Sequence, residues 1–281
     1  MTDYIQEHMT KRILATDLDR TLLPNGSWPA DPGAIPLFNK LTQDDDVLLV
    51  YVTGRNLDLT EDAIQSFGVR FPDVLIGDVG TSIRRRVANG WTTDNAWVEH
   101  VRQSCPRWDA QAVRNALAGV EGLVEQEAVH CGPFKQSYYA DHDRSSEILQ
   151  LAKDRAEGRF DEVFVYSFDS QSGAGLLDLL PRSATKQTAL EFLAAQTGIS
   201  KSDVVFCGDS GNDVFPLTAG FNGVMVRNAD EQLVASVQKA KSMRPDLRIY
   251  HAQGGFRGLN GYYTGGVIEG AYHYGFFGDF D

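Results

Sequence analysis

The chain has 281 residues, a hydrophobic content of 42% and a formal net charge of −12 at pH 7. These values suit a globular protein with a full core, and they argue against nucleic acid as a partner because no basic stripe offsets the negative charge. No apolar run is long enough to span a bilayer and the polar N-terminus lacks a secretion signal, so we expect a cytoplasmic protein without a membrane anchor.

The two ends of the chain alternate between short buried strands and amphipathic helices. Apolar runs predict strands at Ile13–Thr16, Val47–Thr53, Val74–Ile76, Val204–Cys207 and Gly223–Val226. Helical periodicity predicts helices at Ala34–Leu41, Thr60–Phe67, Lys186–Thr197, Glu231–Lys239 and near Gly266–Tyr274. Nearly continuous apolar strands are typical of a parallel sheet that is covered on both faces. The alternation therefore predicts an α/β domain with a doubly wound parallel sheet.

The pattern changes in the middle of the chain. A β-hairpin is predicted between Thr81 and Thr93, because the Asn89-Gly90 pair suits a tight turn. The helices and strands that follow are predicted at Asp109–Leu117, Phe134–Tyr139, Ser145–Ala156, Val163–Ser167 and Gly175–Leu180. We expect residues 95–175 to form an inserted α+β cap domain, and residues 1–94 and 176–281 to form the core that it covers.

Two carboxylates follow the first predicted strand, in the stretch DLDRT. Asp17 and Asp19 are two residues apart, so in an extended segment both side chains point the same way. Like charges at this distance repel each other unless a cation or a shared proton relieves them. The pair therefore indicates a metal site.

A second acidic cluster follows the strand VVFC, in the stretch GDSGND. In open parallel sheets the carboxyl ends of the strands form the ligand crevice. We therefore expect Asp17, Asp19, Asp209 and Asp213 to converge, although they are far apart in sequence. Oxygen ligands at this density suit Mg²⁺, which binds through carboxylates together with a substrate phosphate.

Two further segments offer groups for a phosphate. The second strand ends in Thr53-Gly54-Arg55, which supplies a hydroxyl and a backbone amide, and Lys186 opens a helix with a positive charge. Each residue also has a structural interpretation. Thr53 could cap the following helix, Lys186 could be a solvated first-turn lysine, and Asp213 could be an N-cap.

DLDRT, VTGR, a later lysine and GDSGND resemble, in this order, the four motifs of haloacid dehalogenase (HAD) type phosphatases. A calcium loop is a poor alternative for DLDRT, since position six would be Leu22 rather than glycine. The stretch from Gly132 to Tyr139 resembles the sugar-contacting cap strand of sucrose-phosphate phosphatases, and VIEGAYHYGFF also looks like that family. The resemblance covers nearly the full chain and implies a HAD-like Rossmannoid core with a C2-type cap.

The resemblance implies a Mg²⁺-dependent phosphatase in which Asp17 is the nucleophile and Asp19 the general acid and base. Asp19 would hold a proton part of the time, which crowding by Asp17 and Asp209 favours. Mg²⁺ would be bound by Asp17, the main-chain carbonyl of Asp19 and Asp209. Asp213 would bind the metal directly or through water, or would instead orient Lys186.

The same resemblance suggests how a substrate is bound. Thr53, the Gly54 amide and Lys186 would stabilise the oxygens of the transferring phosphoryl group. The other substrate-binding candidates are Arg55, Lys135, Tyr138, Arg182 and Asn212. Lys135 is the leading candidate for binding the sugar. A tyrosine of the cap, such as Tyr138, more often packs in the protein interior than binds substrate.

Sucrose 6-phosphate is the leading substrate implied by the resemblance. Mannosylfructose phosphate, glucosylglycerol phosphate and mannosyl-3-phosphoglycerate are alternatives on the same scaffold. The glycosyltransferase that makes the substrate could be a partner. A catalytically silent sugar-phosphate-binding module is the alternative from another class, and the retained Asp17 and Lys186 weigh against it. We also expect the cap to close through hinges near Asp94 and Gly175.

Overall fold

The computed structural model describes residues 12–169 and 173–277. The strands in these residues are β1 (Arg12–Thr16), β2 (Val47–Val52), β3 (Val74–Gly77), β4 (Ser82–Val87), β5 (Gly90–Thr93), β6 (Leu123–Glu125), β7 (Gln136–Ala140), β8 (Glu162–Asp169), β9 (Ala174–Pro181), β10 (Val204–Gly208), β11 (Asn222–Met225) and β12 (Ile249–His251). The α-helices in the same residues are α1 (Ala34–Leu41), α2 (Leu57–Phe67), α3 (Asn95–Ser104), α4 (Ala110–Leu117), α5 (Ser145–Ala156), α6 (Lys186–Thr197), α7 (Val214–Thr218), α8 (Glu231–Met243) and α9 (Thr264–His273).

The larger sheet of the described residues has eight strands in the order β12-β11-β10-β1-β2-β3-β4-β5. The strands from β12 to β3 are parallel to their neighbours, and β4 and β5 add an antiparallel hairpin at one edge. The chain thus builds outward from β1 in both directions. This order confirms the predicted doubly wound parallel sheet and the predicted hairpin.

The central strand β1 is buried on both faces. Ile13 and Leu14 have no exposed surface. Successive side chains of a strand point to opposite faces, and Leu14 accordingly shares a buried cluster with residues of α1 and α9, whereas Ile13 shares one with residues of α6 and α8. The continuous apolar runs of the sequence arise because helices cover both faces of the sheet.

The smaller sheet, among the described residues, has four antiparallel strands in the order β6-β7-β9-β8. Helices α4 and α5 cover one face, where Val113, Ala152 and Leu177 belong to one buried cluster. The opposite face contributes Tyr139 and Asp178 to a cavity shared with the larger domain. This arrangement confirms the predicted α+β insertion.

We propose bounds for the insertion that differ from those predicted from the sequence. Helix α3 packs on the core, since Trp97 and Val101 lie in the same buried cluster as Ile83 and Leu190. Strand β9 pairs with β8 along its whole length up to Pro181, so a boundary at residue 175 would cut it. We therefore propose that the cap runs from about residue 106 to 181, with its hinges at these positions instead of near residues 94 and 175.

Some element ends follow from side-chain caps that the periodicity did not reveal. Helix α2 begins at Leu57 rather than Thr60, because the Asn56 side chain accepts a hydrogen bond from the Leu59 amide. Helix α3 was not predicted from the sequence patterns. It begins at Asn95, because the Asp94 side chain accepts a hydrogen bond from the Ala96 amide. None of the helices in the described ranges is both long and apolar enough to cross a membrane.

Candidate active site

Three of the four predicted acidic residues, Asp17, Asp209 and Asp213, meet at the carboxyl ends of the central strands. Strands β1 and β10 are neighbours, with Thr16 opposite Cys207. The amide of Asp17 donates to the Cys207 carbonyl over 2.9 Å, which brings the residues that follow both strands together. The positions of Asp17 and Asp209 therefore follow directly from the parallel register.

Three buried carboxylates form a cluster that can hold a metal ion. Asp17, Asp209 and Asp213 each offer an oxygen, and these oxygens lie within 4.8 Å of one another. Burial, together with the neighbouring Asp213 and Asp19 charges, raises the pKa of Asp17 to about 7, although Lys186 opposes the shift. Burial also raises the pKa of Asp209. Crowded, desolvated carboxylates with only oxygen donors suit a divalent cation such as Mg²⁺.

Lys186 lies within this cluster and not in solvent. Its Nζ is 3.1 Å from Asp17 Oδ2 and donates to Asp213 Oδ1 over 2.9 Å and to Asn212 Oδ1 over 3.0 Å. Burial alone would lower the pKa of Lys186, but the charges of Asp17 and Asp213 outweigh it and raise the pKa. The interpretation of Lys186 as a solvated lysine is therefore wrong. The Thr185 side chain caps the N-terminus of helix α6, so the helix begins at Lys186.

Asp213 has both a structural and an electrostatic role. Its Oδ2 accepts hydrogen bonds from the amides of Asp209 and Ser210 over 3.0 and 3.2 Å. Its Oδ1 accepts a hydrogen bond from Lys186 Nζ. The Asp213 side chain thus closes a capping box on the short turn Gly211–Asp213 and orients Lys186. It makes no N-cap hydrogen bond to α7, so the interpretation of Asp213 as a simple N-cap is wrong. A side chain at Gly208 would lie 2.6 Å from the Asp213 Cβ atom, so this close approach requires glycine.

Asp19 is not one of the three clustered carboxylates, and its side chain is held by other partners. Arg55 donates to its two oxygens over 2.8 and 2.7 Å, and Asn25 donates to Oδ1 over 2.6 Å. Burial would raise the pKa of Asp19, but the hydrogen bonds and charge of Arg55 outweigh it and lower the pKa. The prediction that crowding keeps Asp19 partly protonated is wrong for this conformation, because the guanidinium stabilises the anion.

Thr53 and Gly54 directly follow β2, which is the neighbour of β1 in the sheet. Thr53 is fully buried, and its Oγ1 accepts from the Arg55 amide over 3.2 Å. Helix α2 is capped by Asn56, so the alternative that Thr53 caps this helix is wrong. Gly54 and Asn212 line the cavity above the carboxylates.

A cavity of about 400 Å³ lies between the core and the cap. Asp17, Asp19 and Arg55 line it from the core, and Lys135 lines it from the cap. Lys135 is almost completely buried, with its Nζ 3.5 Å from the Gly54 carbonyl and 3.8 Å from Asp78 Oδ1. The predicted cap lysine therefore reaches the core at Gly54, within the segment that was predicted to bind phosphate.

Two of the predicted substrate-binding residues do not line the cavity. Tyr138 packs in the cap core under α4 and α5, and the next residue of the strand, Tyr139, lines the cavity instead. The choice of face was wrong because adjacent residues of a strand point in opposite directions. Arg182 is bound to Asp161 over 3.2 Å, near the proposed hinge, and is not among the residues that line the cavity.

Asp178 and Arg20 also line the cavity, although no sequence motif singled them out as site residues. Asp178 lies on β9, within the apolar stretch GLLDLLP, and Ser137 donates to its Oδ1 over 2.5 Å. A charged residue in the middle of an apolar strand is the feature of the sequence that could have indicated a site residue here. Arg20 lies inside the DLDRT motif, between the second carboxylate and the threonine.

Comparisons with known proteins agree with this geometry. The family model for sucrose-6F-phosphate phosphohydrolase matches residues 10–275. A protein of Nitrosococcus oceani described as an HAD-like hydrolase is 37% identical over 266 residues, which cover 94% of this chain and 72% of that protein. Mannosylfructose-phosphate phosphatase of Agrobacterium fabrum is 28% identical over 267 residues, which cover 94% and 97% of the two chains.

Sucrose-phosphatase 2 of Nicotiana tabacum is 30% identical over 249 residues, which cover 85% of this chain but only 55% of the tobacco protein. The chain thus spans about half the length of that relative. The solved structure of the Synechocystis sucrose-phosphatase, in complex with sucrose and phosphate, matches with a TM-score of 0.77 and 26% identity over 95% of this chain and 99% of that chain. Because the family model covers nearly the whole sequence, this chain belongs to the sucrose-6F-phosphate phosphohydrolase family of HAD-type phosphoric monoester hydrolases.

Proposed function

We propose that this protein is a Mg²⁺-dependent phosphatase that hydrolyses a phosphorylated disaccharide, with sucrose 6-phosphate as the first candidate. The observation that carries the proposal is the position of Asp17, which lies 3.1 Å from Lys186 and within 4.8 Å of two further carboxylates at the floor of the interdomain cavity. A nucleophile, a cation for the phosphoryl oxygens and a metal-binding set are therefore adjacent. A catalytically silent binding module would not need this combination.

In the proposed reaction a carboxylate oxygen of Asp17 attacks phosphorus and the bond from phosphorus to the sugar oxygen breaks. Asp19 gives its proton to the departing sugar oxygen. It then takes a proton from a water molecule, whose oxygen attacks the aspartyl-phosphate, so that phosphate leaves and Asp17 is restored. Asp17, Asp209 and the Asp19 carbonyl would hold Mg²⁺, which would supply charge neutralisation for the phosphoryl oxygens.

The proposed acid step requires Asp19 to change partners. Arg55 holds Asp19 as an anion, so the protonated form becomes accessible only when this ion pair opens. We therefore propose that Asp19 separates from Arg55 in the reactive complex. Thr53, the Gly54 amide and Lys186 remain the proposed donors to the phosphoryl oxygens.

The cap face of the cavity supports a sugar as the leaving group. Lys135, Tyr139 and Asp178 offer hydrogen-bond donors and acceptors above the carboxylates. Sugar hydroxyls both donate and accept, and they suit such a mixed surface. The sucrose- and mannosylfructose-phosphatases among the relatives are named for disaccharide phosphates, which is why we place these two substrates first. The glycosyltransferase partner and the cytoplasmic location stay predictions.

A substrate panel tests the proposed activity. We expect phosphate release from sucrose 6-phosphate or mannosylfructose phosphate with a kcat/KM at least about tenfold above that for glycerol phosphate, because the latter lacks the ring hydroxyls. EDTA should abolish turnover and added Mg²⁺ should restore it. Equal turnover of glycerol phosphate would refute the substrate class. Tight sugar phosphate binding without turnover would instead support the silent module.

The contribution of the cap can be measured separately. We expect Asp178→Asn to raise the KM for the best sugar phosphate by about tenfold, because a charged acceptor for the sugar hydroxyls is lost. Turnover of p-nitrophenyl phosphate, which has no sugar, should change less than twofold by the same reasoning. Asp154→Asn, on the exposed face of α5, is the matched control. Equal losses on both substrates would show that Asp178 acts only on the structure of the cap.

A further inference from the structure

The turn that follows β3, residues 78–80, has an uncommon backbone conformation and packs against the cap. Asp78 and Val79 both have a left-handed φ, of 53° and 62°. A β-branched residue with such a φ is a genuine outlier, and it persists only where the surrounding structure holds it. The Val79 side chain is buried in one cluster with Val165 and Leu180 of the cap. The β3 turn is therefore held where the cap meets the core.

The β3 turn also binds the backbone of Thr53-Gly54-Arg55, here called the phosphate segment. The Val79 amide donates to the Thr53 carbonyl over 3.0 Å, and the Asp78 amide donates to the Arg55 carbonyl over 2.9 Å. Gly54 lies between these two bound carbonyls, and its amide is one of the proposed donors to the phosphoryl oxygens. The position of that donor therefore depends on the β3 turn.

Lys135 reaches the β3 turn and the phosphate segment from the cap. Its side chain is 6% exposed, and its Nζ lies 3.5 Å from the Gly54 carbonyl oxygen and 3.8 Å from Asp78 Oδ1. The other oxygen of Asp78 accepts a hydrogen bond from Ser82 Oγ over 3.0 Å, which fixes the carboxylate. Both Lys135 distances exceed the usual N–H···O length of about 2.9 Å. A small movement of the ammonium toward the core would shorten both contacts.

We propose that Lys135 is a positioning residue that couples closure of the cap to the geometry of the phosphate segment. In the closed state its ammonium binds the Gly54 carbonyl and the Asp78 carboxylate, and it fixes the backbone at Gly54. Opening of the cap withdraws this charged donor, so the phosphate segment is complete only under a closed cap. An ammonium has three N–H donors, which leaves one for a substrate hydroxyl. The inference rests on the phosphate-binding role of Thr53 and Gly54 in the proposed function.

Steady-state kinetics on two substrates separates this role from sugar binding. We expect Lys135→Met to lower kcat by at least about tenfold for both the best sugar phosphate and p-nitrophenyl phosphate, because a charged hydrogen bond to the phosphate segment is lost. A residue that only bound the sugar would raise the KM for the sugar phosphate and leave p-nitrophenyl phosphate unaffected. That second pattern would overturn the coupling.

Lys153→Met is the matched control. Lys153 belongs to the same domain but lies on α5, which covers the other face of the cap sheet, and it is not among the residues that line the cavity. The substitution removes the same charge, and kcat should stay within about twofold of the wild-type value for both substrates. A loss as large as that of Lys135→Met would show that the cap charge, and not the contact, is responsible, and would overturn the proposal.

Amide hydrogen exchange, followed by NMR, reports the coupling without turnover. The amides of Asp78 and Val79 donate to the phosphate segment, so they should exchange at least about tenfold faster in Lys135→Met than in the wild type. The amides of β10 in the core should exchange at the same rate in both proteins. Equal exchange of the Asp78 and Val79 amides would overturn the coupling, whether or not the protein is a phosphatase.

Asp78→Asn breaks the same contact from the core side, and it also serves if Lys135→Met does not fold. Asparagine tolerates the left-handed φ of this position, so the β3 turn should keep its backbone. We expect Asp78→Asn to lower kcat for p-nitrophenyl phosphate, and the double variant to be no slower than Lys135→Met alone. Losses that multiply in the double variant would show that Lys135 and Asp78 act independently, and would overturn their pairing.

The two proposals fail in different ways. If the wild type releases no phosphate from any ester but the difference in exchange is present, the proposed function is refuted and the coupling stands. If the wild type hydrolyses a sugar phosphate and Lys135→Met changes only the KM for it, the coupling is refuted and the proposed function stands.

Discussion

Replacing Asp17 with asparagine is expected to reduce kcat by about 10⁴-fold or more, because the amide cannot attack phosphorus. The variant should still fold, since asparagine has the same shape and removes one charge from a crowded cluster. Acid quenching of the wild-type reaction with labelled substrate should trap a base-labile phosphoprotein, and Asp17→Asn should trap none. Steady-state kinetics, circular dichroism and this trapping experiment together measure the effect.

Asp58→Asn provides the control for Asp17→Asn. Asp58 is exposed in the first turn of α2, and the same change there should leave kcat within twofold of the wild-type value. Retention of more than about one tenth of wild-type activity by folded Asp17→Asn would rule out Asp17 as the nucleophile, given the loss expected for such a residue.

Replacing Lys186 with methionine should reduce kcat by about a hundredfold to a thousandfold, the loss typical of one donor to a transition-state oxygen. Methionine fills a similar volume without the charge. The pKa of Asp17 should also rise further, because Lys186 lowers it in the wild type. The pH at which activity appears should therefore move upward, and a pH series of kcat measures this shift together with the loss.

The same substitution should destabilise the metal-free protein by about 3 kcal/mol, because Asp17 and Asp213 lose a buried counter-charge. Urea unfolding at pH 7 in the presence of EDTA measures this loss. Lys201→Met is the control, since Lys201 pairs with Glu191 at the exposed surface. A Lys186→Met protein with wild-type stability and kcat would contradict the network described above.

The elements that leave a local pattern in the sequence, such as a continuous apolar run, were predictable. Continuous apolar runs indicated β1, β2 and β10 as buried parallel strands, and the strand order confirmed them. The cap boundaries were less accessible, because Trp97 on α3 packs on the core although it follows the hairpin that leads to the cap. Which domain a helix joins depends on the surface that it buries, and periodicity alone does not report that surface.

The sequence by itself determined the chemistry at the strand ends: carboxylates after β1 and β10, and a lysine at the start of α6. Those residues converge because parallel strands end at one edge of the sheet. Tertiary structure alone decided the pairing of these groups. Asp19 binds Arg55, 36 residues away, and Arg20 reaches Asp209, which directly follows β10. A motif specifies which groups are present, whereas ion pairing depends on distances of a few ångströms between segments that only the folded chain brings together.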